Sequence, residues 1–150
     1  MKIGYKATYN YICRGCIFEI GKTRELKGTP IPCKYGFHYC VKPKDVLNYY
    51  PIRNCFRLLE IEDLGDSIVK NDKTATNKIR IIREISKEEY YQLFGIVNNE
   101  LTFVDEFDGW VKYEFDERNN QIYCETSNGL WEKRTYDEYN ICLKRESGRK

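Results

Sequence analysis

The chain has 150 residues, and its 25 Lys and Arg against 23 Asp and Glu leave a formal charge of +2. That length suits one domain with room for an appendage, and it buries a real core. The near balance of charge excludes a broad electrostatic surface for nucleic acid, so nucleic acid is not an expected partner beyond a local patch. No apolar run approaches membrane-spanning length, and the N-terminus is polar by residue 4, unlike a signal peptide. A soluble, cytoplasmic protein is therefore expected, with no membrane partner.

Residues 3–12 predict a strand, with Asn10 as a turn position. Cys13-Arg14-Gly15-Cys16 follows, then a short strand over 17–20 closed by Gly21. Residues 21–32 carry Gly21, Gly28, Pro30 and Pro32 with few apolar positions and predict a loop. Residues 36–40 are an apolar, aromatic run behind a turn residue, which predicts a short buried strand. Alternation puts Phe37 and Tyr39 on one face and His38, the only histidine, on the other with Gly36 and Cys40. Pro43 suits the first turn of a helix, Val46, Leu47 and Tyr50 share one stripe, and Pro51 ends it. Residues 56–62 predict a strand broken at Leu64-Gly65-Asp66, residues 67–70 extend briefly, and 71–77 predict a polar loop. Residues 78–85 form the best strand pattern in the chain. Ser86-Lys87-Glu88-Glu89 is a capping box that opens a helix through Phe94, stopped by Gly95.

The tail reads differently. Trp110, Lys112, Phe115, Asp116, Glu117, Asn119, Ile122 and Glu125 recur at one fixed offset as Trp131, Lys133, Tyr136, Asp137, Glu138, Asn140, Leu143 and Glu146. This is a tandem strand–turn–strand duplication. The Asp-Glu-x-Asn centres supply turn chemistry, because Asn tolerates left-handed backbone. The units resemble the tyrosine-aspartate repeats of Rhs-type proteins. Trp110 and Trp131 are expected to pack across strands. Two copies are too few to stack alone. The expected domains are an α+β core over 1–95 and a two-copy β-hairpin repeat over 96–150 packed on it or on another chain.

Seven cysteines stand in a chain without an export signal, so reduced thiols or metal ligands are expected rather than disulfides. Cys-x-x-Cys is one common zinc half-site. Cys13, Cys33, His38 and Cys40 are the candidate metal ligands, with zinc as the metal. The second half is irregular, and small buried cysteines are the competing reading.

Arg14-Gly15 ends an early strand, Gly36-Phe37-His38-Tyr39-Cys40 runs into a helix with Asn48-Tyr49, and a Leu58-to-Asp66 strand follows. That order resembles the NAD-binding core of ADP-ribosyltransferases of the poly-ADP-ribose polymerase type, over about half the chain. The resemblance implies an α+β fold, a strand-rich core with two short helices and, here, the hairpin tail. It implies NAD or a related nucleotide as cofactor, with Arg14, Gly15, His38 and Tyr49 as binding residues. Gly15 would offer backbone groups to the nicotinamide amide, and Arg14 would hold ribose or phosphate. His38 and Tyr49 would wall the nicotinamide ring. The family's catalytic glutamate opens a late strand, where Lys78 stands, and Val46 replaces a serine that would bind the nicotinamide carbonyl. Glu84, further along that strand, is the remaining catalytic candidate, and the domain is expected to be active or degenerate. Cys13-Arg14-Gly15, Gly21-Lys22, Cys33, Gly36-Phe37-His38 and Asp45-Val46-Leu47 with Tyr49-Tyr50 also resemble an uncharacterised family common in phages and prophages, over residues 5–85. That resemblance supplies no activity. Two alternatives stand beside the nucleotide pocket. One is a phage or mobile-element protein that binds a host protein or signalling nucleotide without catalysis. The other is a small zinc-stabilised structural domain.

Overall fold

A computed structural model describes residues 1–150. Strands take 52% of the chain and helices 9%, so the expected α+β class is corrected to an antiparallel, strand-dominated fold. Both predicted helices exist, but neither is large enough to make a layer. Pro43–Asn48 is a 3-10 helix, and α1 (Lys87–Phe94) has eight residues. Every strand pairing is antiparallel. No helix is long and apolar enough to cross a membrane.

The chain divides into two compact units. Unit 1 comprises Met1–Pro51 and Cys55–Leu93, and unit 2 comprises Ile52–Asn54 and Phe94–Lys150. The first unit begins with β1 (Lys2–Tyr9), β2 (Ile12–Cys13), β3 (Cys16–Ile17), β4 (Thr23–Glu25) and β5 (Phe37–Tyr39). After the 3-10 helix come β6 (Phe56–Asp63), β7 (Ser67–Lys70), β8 (Lys73–Thr76) and β9 (Lys78–Ile85). One six-stranded sheet has the order β3-β2-β1-β6-β9-β4, and a three-stranded sheet has the order β5-β8-β7. An isolated bridge between Tyr5 and Cys40 links β1 to the end of β5.

The core follows from strand chemistry. β6 and β9 bring Leu59, Ile61, Ile79 and Ile81, all fully buried, against Phe18, Phe37 and Tyr39. These β-branched and aromatic side chains suit a pleated surface packed on its neighbour. Gly4 is required where β1 meets β5, since a Cβ there would lie 2.1 Å from the Tyr39 ring. The Tyr39 hydroxyl donates to Asp63 at 2.9 Å, and Asp63 also accepts from the Thr76 hydroxyl and the Gly65 amide. Burial alone would raise the Asp63 carboxyl, but these donors win and hold it below its ordinary value.

Residues 71–77, read as a loop, instead contain β8, the central strand of the small sheet. Thr74, Ala75 and Thr76 are buried there, and their small size hid the strand. β4 likewise lies in the expected 21–32 loop and edges β9. The capping box is half present. Ser86 Oγ accepts from the Glu89 amide at 3.2 Å, while the Glu89 carboxylate goes to Arg83 in two 2.8 Å bonds. Gly95, at φ +74, ends α1 as expected.

Unit 2 is a meander of β10 (Glu100–Val104), β11 (Trp110–Phe115), β12 (Gln121–Thr126), β13 (Leu130–Tyr136) and β14 (Cys142–Arg149). The duplicated segments are the hairpins β11–β12 and β13–β14. Asp116 Oδ1 accepts from the Arg118 and Asn120 amides, and Asp137 Oδ1 from the Tyr139 and Ile141 amides, all at 2.9 Å. Asp105 caps the β10–β11 turn in the same way, a third instance. Asp108, Asn119 and Asn140 supply the positive φ that each of these turns requires. Trp131 does pack across strands, over Gly148 of β14 in direct register.

Candidate functional site

Unit 1 holds a cavity of about 400 Å³, lined from β1, the β2–β3 hairpin, the segment 34–40, the 3-10 helix with Tyr49 and Tyr50 after it, and Lys73. That is within the roughly 300–1,000 Å³ of small-molecule pockets, near the lower end. The β2–β3 hairpin builds one wall. Cys13 and Cys16 face each other across its two-residue turn, and Arg14 and Gly15 both take positive φ, +50 and +75. Two such residues make the hairpin turn that matches strand twist. A glycine adopts it freely, whereas an arginine there is uncommon.

β1 supplies the floor. Lys6 is only 5% exposed. Its Nζ donates to the His38 carbonyl at 2.8 Å, lies 3.8 Å from Cys13 Sγ, and sits 4.8 Å from the centre of the Phe18 ring. Burial pushes the Lys6 amine below its ordinary value, and Arg14 adds to the effect against the two cysteines nearby. The Cys13 thiol also shares a 2.6 Å hydrogen bond with the Tyr50 hydroxyl. Burial and that bond raise Tyr50, so it keeps its proton.

β5 supplies His38. Its Nε2 accepts from the Cys33 amide at 2.8 Å, which requires the neutral ring. Burial, then the charges of Arg14, Lys73 and Lys6, depress the imidazole to about 4. Three lining cations thus register on one ring. Cys40, beside it, is pushed up to about 12 by burial and then by Asp72 and Asp45, and stays a thiol. Tyr49 hydrogen-bonds to Asp72, which raises its phenol to about 12. Lys73 Nζ stands 4.2 Å from the Tyr49 ring centre.

Of the residues singled out from sequence, Arg14, His38, Tyr49, Cys13 and Cys40 line this one cavity. Gly15 is exposed at the hairpin turn and Cys33 is exposed above His38. Glu84 stands apart. It accepts from the Tyr11 hydroxyl at 2.5 Å and pairs with Arg57 at 3.4 Å. All seven cysteines are free thiols. No three His, Cys, Asp or Glu side chains gather to hold a metal. The four proposed zinc ligands therefore do not converge, and His38 Nε2 is occupied by a backbone amide.

The cavity also contains residues that the sequence did not mark: Lys6, Phe18, Tyr50 and Lys73. Lys6 has a faint signal, as a lysine inside the otherwise apolar and small run Ile3-Gly4-Tyr5-Lys6-Ala7. Lys73 has none, since its strand carries no apolar alternation. The lining residues include seven Tyr or Phe rings and four cations, and none is Asp or Glu. Flat apolar walls with fixed positive charge suit a ligand that is both aromatic and anionic. They offer no carboxylate to steady positive charge developing on a sugar.

Residues 2–93 match the family model described as Domain of unknown function (DUF7666), and the chain belongs to that family. No curated protein and no solved structure matches it.

Proposed function

We propose that unit 1 of this DUF7666 protein binds NAD or a related nucleotide in the cavity beside His38, and holds it without transfer chemistry. The observation that carries this reading is the lining itself: seven rings and four cations around one cavity, with no carboxylate among them. Base and ribose lie against the tyrosines, and the phosphates meet Lys6, Arg14, Lys34 and Lys73. Glu84, the one catalytic candidate, is engaged by Tyr11 and Arg57 outside that lining.

Calorimetric titration of NAD, ADP-ribose and the four nucleoside monophosphates tests the reading, with Arg14→Ala as the matched control. At least one of these ligands is expected to bind, and roughly tenfold more weakly to the variant, as expected for a charge at the rim of a site. Silence from every ligand overturns the reading. Release of nicotinamide from NAD on prolonged incubation overturns its second half, that the bound nucleotide is not turned over.

A further inference from the structure

Lys6 presents a problem that the fold leaves open. Its side chain is buried to 5% exposure on β1, in direct register with Leu59 of β6. A buried ammonium ordinarily has a carboxylate partner. Lys6 has none. It forms no ion pair with a carboxylate, and the titratable groups nearest it are the Cys13 and Cys16 thiols and Arg14. Of its three donor directions one goes to the His38 carbonyl at 2.8 Å, and a second is met only by Cys13 Sγ at 3.8 Å. Arg14, which also forms no ion pair, lines the same cavity and repels it.

We infer that Lys6 and Arg14 together seat the terminal phosphate of a nucleoside monophosphate, which enters the cavity phosphate first. The inference rests on the nucleotide reading and narrows its substrate class. Two neighbouring cations with no anion between them match a group carrying about −1.5 to −2 charges at neutral pH, which a phosphate monoester does. An internal phosphate of a dinucleotide carries less charge and is flanked by a ribose on each side. The cavity, about 400 Å³, encloses one nucleotide more readily than two. The Arg14 fork and the Lys6 amine reach different phosphate oxygens, while the rings of Tyr35, Tyr49 and Tyr50 are left for ribose and base.

Lys6→Met is the deciding variant. It keeps the length of the side chain and removes the charge, and circular dichroism with a thermal melt establishes that it folds. Calorimetry compares wild type and variant with AMP, GMP, CMP and UMP, their nucleosides, NAD and inorganic phosphate. At least one monophosphate is expected to bind wild type roughly a hundredfold more tightly than its nucleoside, the scale of a buried charge pair. In Lys6→Met that monophosphate loses roughly tenfold or more of its advantage over the nucleoside, with Arg14 alone left to hold the phosphate, and the affinity of the nucleoside is unchanged. A monophosphate that binds both proteins equally overturns the inference and leaves the pocket reading intact. The same holds if NAD binds more tightly than every monophosphate. Inorganic phosphate binding as well as the nucleotides reduces the site to an anion hole and overturns the nucleotide class. Silence from all ligands overturns both readings. Should Lys6→Met fail to fold, Lys6→Gln takes its place in the same titration, and the same outcomes support or overturn the inference.

Discussion

Leu58, Leu59, Ile61, Ile79 and Ile81 of unit 1 are shielded from solvent entirely, whereas every residue of β12 in unit 2 is half-buried and every residue of β14 is exposed. One unit orders its strands by burying apolar side chains. The other buries fewer apolar side chains, among them Phe94, Leu101 and Phe115, and leans more on what connects and crosses its strands. Three turns carry an aspartate that accepts two amides each. The two turns of the repeat are tied together, with Asn120 Nδ2 donating to Asn140 Oδ1 at 2.8 Å and Arg118 to the Glu138 carbonyl at 2.9 Å. Ion pairs such as Arg145 with Glu132 and Lys150 with Glu125 cross the strands. The difference bears on function. A unit held by burial can carry a cavity with a charged floor, because its surrounding core fixes the walls.

The contrast between the units breaks first at the core. Leu59→Ala removes a fully buried side chain packed among Phe18, Phe37, Tyr39 and Ile61. The loss is expected to be about 3 kcal/mol or more, a large share of a domain's net stability. Urea unfolding measures it, and ligand binding in the cavity is lost over the same range. A smaller loss, near 1 kcal/mol, means that unit 1 is not held by its core in the way its burial implies. Asp116→Ala is the matched test of unit 2. It strands the Arg118 and Asn120 amides, which then turn to water at some cost. The expected loss is about 1–2 kcal/mol. Hydrogen exchange should quicken at Arg118, Asn120 and the start of β12 before it quickens elsewhere.

Those two variants also mark what is legible in the sequence. Asp116 and Asp137 are legible because turn chemistry is local: the carboxylate, the Asn that follows it and the positive φ all lie within one turn. The third turn, at Asp105, escapes the pattern because Asp108 stands where the other two have Asn. The clustering of Arg14, His38 and Tyr49 is legible through the order of strand, helix and strand. The fold class is not. A proline-started helix and a capping box are strong local signals, and they draw weight toward helices that amount to 9% of the chain. β8 is invisible because a strand of Thr74, Ala75 and Thr76 has no apolar alternation, and it is buried as the central strand between β5 and β7. Lys6 leaves only a faint signal, for the converse reason. A lysine on a strand reads as the solvent face, and only tertiary packing turns it inward.

The smallest effect separates the units by pH. Unit 1 holds the only histidine. His38 takes up a proton near pH 4 in the folded chain, against an ordinary 6.5, because burial and the cations Arg14, Lys73 and Lys6 oppose it. Between those values the unfolded chain binds more protons, so unit 1 has its full stability above about pH 6.5 and loses it as pH falls toward 4. Allowing for its partial exposure to solvent, the loss is on the order of 1–2 kcal/mol. His38→Gln keeps an acceptor for the Cys33 amide and cannot titrate, so its melting temperature should stay level where that of wild type declines. The carboxylates held low by their partners, Asp63 in unit 1 and Glu132 in unit 2, lose stability only below their ordinary values of 3.8 and 4.5. Most of the histidine window lies above theirs. Melts at pH 7, 6 and 5 therefore isolate the imidazole, and a wild-type curve as flat as that of the variant would mean that the cavity cations do not act on His38.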